Sequence, residues 1–180
     1  FHIITAQSNA ISNINKCITR AGLEIDNLIL EPLASCMSVL SDEEKEAGVV
    51  LVDIGGGTTD IAIFKDSIIR HAAVLPFGGN IITSDIKQGC MVMQNQAELL
   101  KVKFGKAIAD EASENEIVSI PGLRDRTPKE ISIKNLAYII EARMEEIVEL
   151  VYAEILRAGF ANGLAAGIVI TGGGALLQNL

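Results

Sequence analysis

Apolar residues recur along this chain in two rhythms, a helical spacing of three to four and short unbroken β-branched runs, and the switches between them mark its elements. Phe1 to Thr5 reads as the end of a strand. Ile11, Ile14 and Ile18 then fall at helical spacing behind the polar starters Ser8 and Asn9, and Gly22 stops that helix. Leu28 to Leu30 predicts a short buried strand, and Pro32 suits the first turn of a helix carrying Leu33, Met37 and Leu40 on one side. The acidic stretch from Ser41 to Gly48 reads as a solvated loop. Val49 to Ile54 is a strand covered on both faces, Ile61 to Phe64 resumes strand character, and Lys65, Asp66 and Ser67 turn into a third strand ending near Leu75.

Gly78 and Gly79 break this pattern. Helices follow over Asn80 to Gly89 and Gln94 to Gly105, then a strand over Glu116 to Ile120 and a surface loop from Pro121 to Pro128 containing Arg124 and Arg126. From Ser132 a long helix places Leu136, Ile139, Ile140, Ile147, Val148, Val151 and Ile155 on one stripe, with Glu141, Glu145, Glu149 and Glu154 mostly off it, and ends at Gly159. Gly167 to Thr171 is a strand running through Gly172, Gly173 and Gly174 into a helix beginning at Ala175. Strand meanders interleaved with helices predict an α/β fold with a mixed sheet. Seams are expected near Gly78 to Asn95 and near Gly159 to Gly167. They divide the chain into residues 1–88, a smaller unit at 89–160, and a return to the core at 161–180.

Composition changes this picture in three ways. With 180 residues, 49% of them hydrophobic, the chain can bury a core. Its formal net charge of −8 argues against nucleic acid as a partner, because that binding rests on clustered Lys and Arg, but leaves nucleotides open, since backbone amides hold phosphate without a basic surface. Cys17, Cys36 and Cys90 are odd in number and widely spaced, which fits reduced thiols better than a metal site. No run approaches the twenty or so apolar residues of a membrane span. The start at Phe1 and the end soon after a new helix begins read as a fragment of something longer.

The candidate chemistry lies in two glycine clusters. In Asp53-Ile-Gly-Gly-Gly-Thr-Thr-Asp60, three glycines between two apolar strands let backbone N–H groups approach an anion that a Cβ would obstruct, and Thr58 and Thr59 add hydroxyls. The order strand, hairpin, strand excludes the two commonest glycine-rich phosphate loops, which run from strand into helix. Asp53, where the strand enters the turn, is placed to face a phosphate-bound Mg2+ or to orient an attacking water. The bland alternative is a plain hairpin whose glycines satisfy positive φ angles. The second cluster, Gly172, Gly173 and Gly174, turns from strand toward helix, so that free amides point at whatever sits above; its alternative is a tight connection and nothing more. Glu98 and Lys101, three apart on one helix face, are either a ribose acceptor and a stem laid along a purine, or a surface ion pair.

Asp53 to Asp60 resembles the second phosphate motif of the actin, sugar kinase and heat-shock chaperone superfamily, and Ile170-Thr-Gly-Gly-Gly174 resembles its adenosine motif. Within that superfamily the likeness is to the FtsA family of bacterial cell-division proteins. It rests on Leu30-Glu-Pro-Leu-Ala-Ser35, on Gly48 to Gly57, on Gly78 and Gly79, on Ala97 and Glu98 with Lys101, and on Ala166 to Gly173, so it covers almost the whole chain.

The resemblance implies an actin-like (ribonuclease H-like) mixed sheet with flanking helices plus a smaller α+β subdomain, and ATP with Mg2+ as ligands. Gly55, Gly56, Gly57, Thr58 and Thr59 would hold the β- and γ-phosphates, Asp53 would serve Mg2+ and water as metal ligand and catalytic residue, Glu98 and Lys101 would meet ribose and base, and Gly172, Gly173 and Gly174 would lie beneath the adenosine. It further implies a cytoplasmic scaffold at the inner face of the membrane at the division site, at most a weak ATPase. Such a scaffold polymerises with itself, binds the C-terminal tail of FtsZ, and reaches the membrane through a helix outside these residues. Arg124, Arg126 and Arg143 are the candidate FtsZ contacts. Alternatives of the same fold are a kinase or chaperone-type ATPase, or another scaffold such as MreB or PilM.

Overall fold

The computed structural model describes residues 5–122, 127–160 and 162–180, which fall into two units, Phe1–Glu31 and Pro32–Leu180. In the first unit, α1 (Ser8–Arg20) is an amphipathic helix with Ile11, Ile14 and Ile18 at helical spacing. It ends where Gly22 adopts φ +77° and the Leu23 N–H closes back onto the Ile18 carbonyl at 3.2 Å. The strand expected at Leu28 to Leu30 does not form. These residues are 36 to 61% exposed and pair with no other strand among the described residues, and three apolar residues without a ladder partner have nothing to hold them extended. Residues 1–4 of the expected opening strand lie outside the described residues.

The second unit is built on a four-stranded mixed sheet. Its elements run α2 (Glu31–Val39), α3 (Asp42–Ala47), β1 (Val49–Ile54), β2 (Thr59–Lys65), β3 (Ile68–Leu75), α4 (Gly79–Gly89), α5 (Gln94–Phe104), β4 (Ile117–Ile120), β5 (Lys129–Ser132), α6 (Ile133–Arg157) and β6 (Gly167–Thr171). The sheet order is β3-β2-β1-β6, with β6 parallel to β1 and the other neighbours antiparallel. β1 is apolar except for Asp53 because both its faces are covered. Val50, Val52 and Ile54 pack with residues of α4, α5 and α6, while Val49 and Leu51 pack with Cys36 and Leu40 on the opposite face. By the same alternation, Asp53 and its cross-strand neighbour Asp60 fall on the α2 face, and Thr59 on the other.

Four further expectations change. The acidic stretch is helix α3 rather than a loop: the Ser41 hydroxyl accepts from the Glu44 N–H at 3.2 Å and the Glu44 carboxylate from the Ser41 N–H at 2.7 Å, a reciprocal cap that starts a helix of six residues. Residues 129–131, given no element in the sequence, and Ser132, expected to open the long helix, form β5 and pair antiparallel with β4. On α6 the buried stripe runs Leu136, Ile140, Met144, Ile147, Val151, Ile155, and Val148, expected on it, is 50% exposed. After β6 the chain makes only a short 3-10 turn over Gly173–Leu176, because successive glycines favour neither helix propagation nor its entropy.

Candidate functional site

The hairpin between β1 and β2 is closed at its tip, where the Gly55 N–H donates to the Thr58 carbonyl at 2.9 Å. The start of α4 then docks onto it: the Gly79 N–H donates to the Gly55 carbonyl at 2.9 Å and the Asn80 N–H to the Gly56 carbonyl at 2.8 Å. In a trans peptide the N–H points opposite to the C=O. Holding these two carbonyls toward α4 therefore turns the N–H groups of Gly56 and Gly57 away from it, and among the described bonds neither has a protein acceptor. The close docking requires Gly78, whose Cβ would stand 2.6 Å from the Gly55 oxygen and 2.8 Å from that of Gly56.

The hairpin glycines are not there for their backbone angles. None of Gly55, Gly56 and Gly57 lies in the left-handed region. A Cβ at Gly56 would meet nothing closer than the Asn80 side chain at 3.6 Å, and one at Gly57 would meet nothing within 4 Å. In the second cluster Gly172 has φ +84° and a Cβ there would strike the Asp53 carboxylate and, at 2.6 Å, the Ile54 oxygen; one at Gly174 would lie 2.6 Å from the Ile54 Cβ. Those two are demanded by packing against the end of β1. Gly173 between them, like Gly57, faces open space. Three glycines, Gly56, Gly57 and Gly173, thus answer no demand of the chain itself.

The clusters share a cavity of about 340 Å³. Gly55, Gly56, Gly79 and Asn80 line one side, Glu98, Lys101 and Val102 of α5 another, and Gly173, Gly174 and Leu177 a third. Asp53, Gly57, Thr58, Thr59 and Gly172 lie outside that lining. A larger depression of about 520 Å³ lies on the first unit, lined by Ile14, Ile18 and Leu23 with the acidic Glu24 and Asp26, and no Lys or Arg lines it.

Each polar residue of the site has a defined engagement. The Lys101 ammonium donates to the Gly79 carbonyl at 2.9 Å and the Thr83 hydroxyl at 2.8 Å and pairs with the Glu98 carboxylate at 2.8 Å, which ties α5 to the first turn of α4. Burial pushes the Glu98 carboxyl up, but the hydrogen bonds from Lys101 and Thr83 and the charge of Lys101 outweigh it and hold the carboxyl below its ordinary value. Asp53 accepts from the Ser35 hydroxyl of α2 at 2.9 Å, and Asp60 from Thr58 at 3.1 Å. Thr59 is fully buried and gives its hydroxyl to the Phe77 carbonyl at 2.8 Å, so the hydroxyl braces the hairpin from beneath. Asn80, Val102 and Leu177 were not singled out in the sequence. Asn80 follows Gly78 and Gly79 directly, but no spacing rule marks it.

Of the arginines considered for partner contact, Arg143 is engaged by Asp85 at 2.6 and 3.2 Å and by Glu146, which joins α4 to α6. Arg124 and Arg126 lie outside the described residues.

The family model described as "Cell division protein FtsA" matches residues 50–180. The chain belongs to the FtsA family. It is 48% identical over 172 residues to cell division protein FtsA of Pseudomonas aeruginosa, covering 96% of this chain and 41% of that relative. It is 44% identical over 180 residues to FtsA of Neisseria meningitidis, covering 99% and 44%. The chain therefore spans well under half the length of the FtsA relatives it matches. Among solved structures, MreB 5 of Spiroplasma citri bound to AMPPNP superposes with a TM-score of 0.79 at 25% identity, over 97% of this chain and 56% of that one. The MamK double helical filament gives 0.69 at 20% identity, over 96% and 54%. These likenesses place the FtsA chain in the actin-like fold, as its motifs implied.

Proposed function

We propose that this chain carries much of the ATP site of an FtsA-type cell-division scaffold. The observation that supports the reading most is the trio Gly56, Gly57 and Gly173: side chains are absent where the chain leaves room for them, beside hairpin amides turned outward, and Gly56 and Gly173 line one cavity. The phosphates would lie over Gly55, Gly56 and Gly57, with the Thr58 hydroxyl at the tip and Thr59 supporting from below. The adenosine would occupy the cavity above Gly172, Gly173 and Gly174, with Glu98 toward the ribose and the aliphatic stem of Lys101 along the base. The MreB 5 structures with ADP and AMPPNP support nucleotide as the ligand class.

Mg2+ fits the donor set. Among the described residues no three metal-ligating side chains gather, and the carboxylates beside the hairpin are the cross-strand pair Asp53 and Asp60, a small donor set that suits an ion that keeps waters and takes its other ligands from phosphate. Asp53 would hold that ion, which when bound neutralises phosphate charge, while Ser35 fixes the carboxylate's direction.

Residues 89–160 would form the smaller subdomain, the surface for filament and partner contacts. For the whole protein, ATP closes the site and favours self-assembly, the FtsZ tail docks on that subdomain, and the membrane is reached through a part of the protein outside these residues. Hydrolysis is slow or incidental. Nucleotide titration of the intact protein tests the site: Asp53→Ala should weaken ATP binding in the presence of Mg2+ and remove most of its Mg2+ dependence. Equal affinity and equal Mg2+ dependence in the variant would remove Asp53 from the assignment.

A further inference from the structure

We propose that Asn80 supplies the side-chain phosphate donor of the glycine hairpin, through its carboxamide Nδ2–H. The inference rests on the nucleotide reading and adds a residue to it. A phosphate chain brings several negative charges into a cavity whose one lysine is already engaged within the protein, since Lys101 donates to the Gly79 carbonyl and Thr83 and is paired with the Glu98 carboxylate. The charge must then be met by neutral donors. Of the two side-chain amides that line the cavity, Asn80 and Gln178, Asn80 is the one beside the glycine hairpin. Its own N–H is fixed to the Gly56 carbonyl at 2.8 Å, which anchors its backbone to the hairpin tip. Its carboxamide stands 3.6 Å from where a Gly56 Cβ would be and lines the shared cavity. Among the described residues that carboxamide makes no hydrogen bond. It sits in the first turn of an eleven-residue helix whose leading N–H groups of Gly79 and Asn80 are already spent on the hairpin, so the side chain extends the reach that the backbone there no longer has.

The consequence is selectivity for phosphorylated ligands. Asn80→Ala deletes the donor and Asn80→Asp keeps the shape while adding a like charge; both retain the backbone N–H that docks α4, and the side chain is exposed, so the fold survives either change. The test is titration of the intact protein and both variants with ATP, ADP and adenosine, with melting in the absence of nucleotide as the control. Loss of a hydrogen bond to a charged group predicts about tenfold weaker ATP and ADP binding for Asn80→Ala, a larger loss for Asn80→Asp, and unchanged adenosine affinity. ATP binding that Asn80→Ala leaves intact overturns this assignment alone. An equal loss for adenosine also overturns it, since the residue would then shape the cavity and not meet phosphate. Failure of the unaltered protein to bind ATP removes the nucleotide reading itself.

Discussion

Gly78 shows how much of the site one missing Cβ decides. Its neighbours in the hairpin are within 2.8 Å of where that atom would be, and they are backbone carbonyls that cannot rotate aside. Gly78→Ala should push α4 off the hairpin, costing about 1–3 kcal/mol in urea denaturation by overpacking, and should weaken nucleotide binding at the same time. A variant of unchanged stability would mean the docking is looser than described. At this scale the sequence was legible where glycine marks the chemistry. Gly55, Gly56 and the Glu98/Lys101 pair line one cavity, and Asp53 stands at the end of β1 that leads into the hairpin. It was not legible where direction matters. Thr58 and Thr59 are the same residue type side by side, yet strand alternation turns the Thr59 hydroxyl into the core and leaves that of Thr58 at the tip. Lys101 resolves the choice between ligand contact and ion pair differently: its ammonium closes a network that sets α4 in place, leaving only its stem to a ligand.

Helix α3 is the element where local chemistry overruled overall polarity. Six residues from Asp42 to Ala47 have no buried side chain, so the reciprocal cap of Ser41 and Glu44 carries the helix start, and the three acidic residues of the first turn suit its positive end. Ser41→Ala should cost about 0.5–2 kcal/mol and abolish protection of the amides of that turn in hydrogen exchange. The signature Ser-x-x-Glu was readable in the sequence; the loop reading gave its acidity more weight than its spacing. The large elements were legible because long apolar periodicity outweighs local detail, as in the stripe of α6. The short ones were not, since Leu28 to Leu30 and residues 129–132 are too brief for periodicity, and only the presence of a partner strand decides between them.

Across the molecule, two carboxylates link acid stability to packing, Glu98 between α5 and α4 and Glu154 between α6 and β3. The hydrogen bonds of Arg157 foremost, and then of His71, hold Glu154 below its ordinary value of 4.5 against the opposing effect of burial. Glu98 is likewise lowered. A carboxyl with a depressed folded-state pKa contributes stability that is complete above its ordinary value and is lost as pH falls through the lower folded value. Melting temperature should therefore decline once pH drops below about 5, and Glu154→Gln should be less stable at neutral pH with a shallower acid limb. A parallel acid limb in the variant would exclude that contribution.

The central claim is that the glycine hairpin is kept bare for a ligand, and Gly56→Val tests it most directly. Its Cβ would meet nothing closer than the mobile end of the exposed Asn80 side chain at 3.6 Å, so the fold should persist, while the added bulk would cover the hairpin tip proposed for phosphate. Calorimetric titration of the intact protein with ATP should show binding that Gly56→Val abolishes or weakens by at least about tenfold, with melting unchanged in the absence of nucleotide. ATP affinity equal in the two proteins would contradict the account.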